Sequence, residues 1–146
     1  VIVSCRDKEG NNNALCVGYC CNCSYDPPMI MVGIVPSRHS YKMIKESGFF
    51  VVNVPSKDQQ KIFDYLGSHS GKNEDKFASL SLKTEEGHKV NAPLITECPI
   101  CIECRITGSI LTGSHEMFAG TIEKIHVNED IVDDKGCIDY SKIDQI

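Results

Sequence analysis

The segment from Cys23 to Tyr41 limits the fold more than any other part of the chain. Asp26-Pro27-Pro28 must be a corner, because two consecutive prolines fix φ and remove two backbone donors, which neither a helix interior nor a central strand tolerates. Met29 to Val35 follows as a nearly unbroken apolar run of strand length, read as a strand covered on both faces. Ser37-Arg38-His39-Ser40-Tyr41 then leads into the helical spacing of Tyr41 to Glu46, which stops at Gly48. A helix start offers unpaired N–H groups and the positive end of its dipole, so hydroxyls and Arg38 at that place suit an anion. Ser37 as an ordinary helix cap explains the same residues without a ligand.

The remaining segments read mostly as β. Residues 1–19 form a hairpin around the polar turn Arg6 to Asn11, and Phe49 to Val54 is a strand ended by Pro55. Ser56-Lys57-Asp58-Gln59 is a capping box opening a helix to about His69, with Ile62, Phe63 and Leu66 as its buried stripe. Ser68 to Asp75 is a polar loop, Asp75-Lys76-Phe77 a short turn, and residues 83–91 a loop or short hairpin. Ile100 to Thr107 alternates with period two, placing Cys101, Glu103 and Arg105 opposite Ile100, Ile102, Cys104 and Ile106. Gly113 to Glu116 turns into a strand from Met117 to Val127, and the acidic tail from Asn128 reads as a solvated hairpin turning at Asp133 to Gly136. Without a repeat or linker, residues 1–146 form one mainly β domain with inserted helices, in the manner of a small Greek-key barrel.

Charge and cysteine content exclude several classes. The net charge of −5 and the absence of a basic stripe argue against nucleic acid. The longest apolar run, Phe49-Phe50-Val51-Val52, is too short to cross a bilayer and no signal peptide precedes it, so the chain is expected to be soluble and cytoplasmic. There is no initiator Met, and both ends read as trimmed. Nine cysteines is an odd number, at odds with a secreted disulfide framework and in keeping with buried thiols in a reducing compartment. Cys98-x2-Cys101-x2-Cys104 has the opening spacing of a bacterial ferredoxin motif. The alternation turns Cys101 and Cys104 to opposite sides of one strand and the usual completion is missing, so no metal is expected there; a Cys-ligated metal or iron–sulfur protein is the weaker alternative.

Taken together, Asn13 to Tyr19, the Cys23-Ser24-x-x-Pro27-Pro28 corner, Ser37 to Tyr41, Asp75-Lys76-Phe77 and Gly113 to Phe118 resemble the flavin reductase-like family of FMN-binding split-barrel proteins, and within it the flavoredoxins. The resemblance implies a six-stranded split β-barrel, a homodimer and one FMN per subunit near the dimer interface. It also implies electrons arriving from NAD(P)H or a redox protein, by hydride transfer to the flavin or by passage to a protein partner. A flavoprotein carrier that does not use nicotinamide is the nearer alternative. By the same resemblance, Ser37, Arg38, Ser40 and Tyr41 contact the FMN phosphate, and Asn13 and Tyr19 lie along the flavin. Cys23 and Ser24 meet its polar edge, Lys76 approaches the ring, and His115 stands at the ring edge as the catalytic candidate. Taken alone, Asn13 would be a turn former, Tyr19 a core aromatic, Lys76 a surface lysine and His115 a structural turn residue.

Overall fold

A computed structural model describes Val1–Ile146. Nine strands and three α-helices follow one another as β1 (Ile2–Arg6), β2 (Asn12–Cys16), β3 (Cys20–Tyr25), β4 (Pro28–Ile34), α1 (His39–Ser47), β5 (Phe49–Val54), α2 (Gln60–Ser68), α3 (Lys76–Leu80), β6 (Thr84–Glu86), β7 (Pro93–Ile95), β8 (Ile100–Leu111) and β9 (Glu116–Val127). Seven of the strands make one sheet in the order β2-β1-β5-β8-β9-β4-β3, and β6 pairs with β7; every pairing is antiparallel. The outermost strands of that sheet, β2 and β3, are consecutive in the chain. Four residue steps span at most about 14 Å, so the sheet must curl until its edges nearly meet. The link is itself pinned to both sides, Val17 N–H donating to Val1 O and Gly33 N–H to Tyr19 O. The result is an incompletely closed barrel, the split barrel that the sequence implies, with seven strands rather than six in the main sheet.

Two apolar layers follow from this curl. Val3, Cys5, Ile30, Val32, Ile34, Phe50, Val52, Cys104 and Phe118 point into the barrel, and Met43 and Ile44 of α1 close onto them. Outside it, Ile2, Ala14 and Val51 pack with Leu66 of α2 and with Leu94, Ile95, Cys98 and Cys101. Thus β1 and β5 are buried on both faces, which explains their continuous apolar runs. The run of β4 differs from expectation. Ile30, Val32 and Ile34 are buried, whereas Met29 and Met31 on the outer face stay half-exposed, because no helix of the chain covers that side. Cys101 and Cys104 lie in different layers, as their alternation requires.

Local signals explain the helix ends. Gly48 closes α1 in the left-handed region with φ +77°. Ser56 N–H donates to Gln59 Oε1 at 2.9 Å, and a single 3₁₀ turn at Lys57–Gln59 leads into α2. The triplet at residues 75–77 opens a helix rather than a turn, Asp75 accepting from the N–H groups of Phe77 and Ala78. The acidic tail does form a hairpin, with Val132 bridged to Ile138. It is docked rather than solvated, since Ile131 and Ile143 are buried against Ile100. No helix is long and apolar enough to cross a membrane.

Candidate functional site

The start of α1 is left open. Arg38 occupies the N-cap position, no side chain caps the helix, and its first turn holds no acidic residue. The N–H groups of Arg38 and Tyr41 donate to Val35 O and Arg38 O, whereas those of His39 and Ser40 have no partner in the chain. The Ser37 cap is therefore not what these residues form. Two unpaired amides, the helix dipole and the unpaired Arg38 guanidinium converge on the same side.

They face a cleft of about 140 Å³ lined by residues from four segments. Asn13, Leu15 and Cys16 of β2 make its floor; Ser37, Arg38, His39 and Ser40 make one wall; the other runs from Leu66 and Gly67 in the last turn of α2 to His69–Lys72 just after it. The fourth segment contributes Lys76. Asn13 Nδ2 donates to Ser40 Oγ at 2.7 Å, and both residues are buried. That bond fixes the Asn13 amide and holds the Ser40 hydroxyl at the helix start. Gly71 closes over Asn13: a Cβ on it would lie 2.5 Å from Asn13 Oδ1 and 2.9 Å from His39 Cδ2. No Asp or Glu lines the cleft.

Lys76 is the opposite of a surface lysine. It is 3% exposed, and its ammonium donates to the carbonyls of Ala14, Leu66 and His69. Burial pushes its pKa down, with Arg38 adding to that and Cys16, Cys5 and Glu74 acting the other way.

Asn13, Ser37, Arg38, Ser40 and Lys76 are thus brought together, and the other candidates lie elsewhere. Tyr41 points to the far side of α1, where its hydroxyl donates to Glu116 and its ring tilts against Phe118. Hydrogen bonds from Ser109, Tyr41 and Lys45 pull the Glu116 carboxyl down to about 2. Tyr19 and His115 meet edge to face at 4.7 Å in a separate depression, and Ser114 bonds His115 Nδ1 at 2.7 Å. Cys23 and Ser24 border a third hollow with Tyr25, Met29 and Ile122. The wall from Leu66 to Lys72 carries no motif in the sequence; its signal is two glycines within a polar stretch.

A family model described as "Flavin reductase like domain" matches residues 1–142. The chain belongs to the flavin reductase-like family. Among solved structures, flavoredoxin of Desulfovibrio vulgaris (Miyazaki F) is similar with a TM-score of 0.92 and 34% identity, over 99% of this chain and 77% of that one. Flavoredoxin from Methanosarcina acetivorans gives 0.91 and 30%, over 99% and 75%. In sequence, a protein of Archaeoglobus fulgidus is 38% identical over 117 residues, 80% of this chain. This flavin reductase-like chain spans 66% of the length of that relative.

The cleft fits part of a flavin nucleotide. Enclosed ligand sites commonly run to about 300–1,000 Å³, so about 140 Å³ has room for a phosphate and the end of a polyol chain but not for a tricyclic ring. Polar lining, open amides and unpaired cations suit that end of the molecule.

Proposed function

We propose that this chain is an FMN-dependent oxidoreductase that holds the FMN phosphate at the start of α1 and takes electrons from NAD(P)H or a redox protein. One observation carries the reading: a chain of net charge −5 gathers Arg38, Lys72 and Lys76 around a cleft without a carboxylate side chain. Neither Arg38 nor Lys72 is ion-paired within the chain, so both are available to an anion. FMN is favoured over FAD because there is a single anion site and no Gly-rich pyrophosphate loop in the sequence.

In this reading Arg38, Ser37, Ser40 and the amides of His39 and Ser40 hold the phosphate, and Asn13 orients Ser40. Bound flavin supplies the electron chemistry, and the protein supplies position and electrostatics. Tyr19 and His115, with Cys23 and Ser24, are assigned to the ring end, outside the cleft. A homodimer belongs to the same proposal. It is supported by large apolar side chains left exposed on the sheet's rim, Tyr25 at 95% and Leu111 at 68% among them.

Anaerobic titration of the FMN-loaded protein with NADH and with NADPH tests the donor. At least one nicotinamide is expected to bleach the bound flavin stoichiometrically. Bleaching by dithionite but by neither nicotinamide would leave a redox-protein donor instead.

A further inference from the structure

A lysine buried without a carboxylate needs another compensation, and here it comes entirely from backbone carbonyls. An ammonium has three N–H donors. Those of Lys76 go to Ala14 O at 2.5 Å, Leu66 O at 3.2 Å and His69 O at 3.2 Å. Leu66 and His69 stand at the C-terminal end of α2, where carbonyls lack intrahelical partners and the dipole favours a cation. Ala14 belongs to β2, an edge strand with no further strand beside it. The base of the lysine stem is set by the Asp75 cap of α3.

We propose that Lys76 is a positioning residue for the flavin site, its ammonium clamping the Leu66–Lys72 wall to the β2 floor and acting on the cofactor through that clamp. The inference rests on the reading that this cleft holds FMN. Ala14 sits between Asn13 and Leu15 of the floor, and Leu66 and His69 belong to the wall. The two sides already touch at Gly71, which has no room for a Cβ against Asn13. A wall released from β2 therefore cannot keep the cleft's shape. With all three donors committed to carbonyls, Lys76 has none left for a ligand.

Lys76→Met keeps much of the stem and removes the clamp. Amide hydrogen exchange over residues 67–72 of the flavin-free variant is expected to quicken at least tenfold, with β8 and β9 unchanged. FMN affinity is expected to fall at least tenfold, while the midpoint potential of the flavin that still binds stays at the wild-type value. A shifted potential with exchange and affinity unchanged would overturn the clamp and make Lys76 a direct electrostatic partner of the ring. Should Lys76→Met fail to fold, Lys76→Arg keeps the charge but not the three-way donor geometry, and the same readings apply. If the wild type itself does not bind FMN, the cofactor reading fails, and the exchange of residues 67–72 still decides the clamp.

Discussion

Glu103→Ala is expected to cost the fold about 3–5 kcal/mol, the range for removing one partner of a buried, fully satisfied charge. Glu103 is fully buried. One carboxylate oxygen accepts from His88 N–H and bonds His126 Nε2; the other accepts from the N–H groups of Lys89 and Val90. Truncation strands all four donors. Glu103→Gln keeps the volume but turns an NH₂ towards donors, so it also destabilises. Measured by thermal melts, the alanine variant should lose about 10 °C or more. Burial pushes the Glu103 pKa up, but His126 and the three amides outweigh it and the net direction is down. Its contribution is therefore complete above the ordinary carboxylate range and lost as pH falls through the lowered folded value. The stability gap between wild type and Glu103→Gln should accordingly narrow in acid. A gap that stays constant from neutral to strongly acid pH would contradict this role.

Arg38→Ala is expected to weaken FMN binding by about 10- to 150-fold, the worth of a charge-assisted contact of about 1.5–3 kcal/mol. Arg38 is exposed and its side chain makes no hydrogen bond or ion pair within the chain, so its loss should leave the melting temperature of the flavin-free protein unchanged. Ser40→Ala behaves differently, because it also strands the buried Asn13 amide. Fluorescence titration of both variants separates a lost ligand contact from a disturbed site. Wild-type affinity in Arg38→Ala would remove this residue from the phosphate site.

Much of the site's centre was legible because it is local. Ser37, Arg38 and Ser40 fall within four residues between a strand and a helix, and hydrophobic spacing placed both elements. Asn13 and Lys76 reach the same cleft only through the rolling of the sheet, and only family resemblance pointed to them. The buried side chains of Lys76 and Glu103 were missed for a common reason. Each belongs to a residue type that is normally solvated, and each is buried by groups outside its own element: Ala14 of β2 and the end of α2 for Lys76, the turn at residues 88–90 for Glu103. The acidic residues of the tail likewise hid the docking of Ile131 and Ile143. Conversely, the motifs group Tyr19, His115, Cys23 and Ser24 around the ring of one flavin, yet motifs carry no distances. In the single chain these residues border other hollows.

The central claim is that the open start of α1 binds a phosphate. Comparing FMN with riboflavin, which lacks only that phosphate, tests it most directly by equilibrium titration of the flavin-free protein. FMN is expected to bind at least about a hundredfold more tightly, since several charge-assisted contacts are lost together, and Arg38→Ala should shrink the difference. Equal affinity for FMN and riboflavin in the wild type would contradict the account.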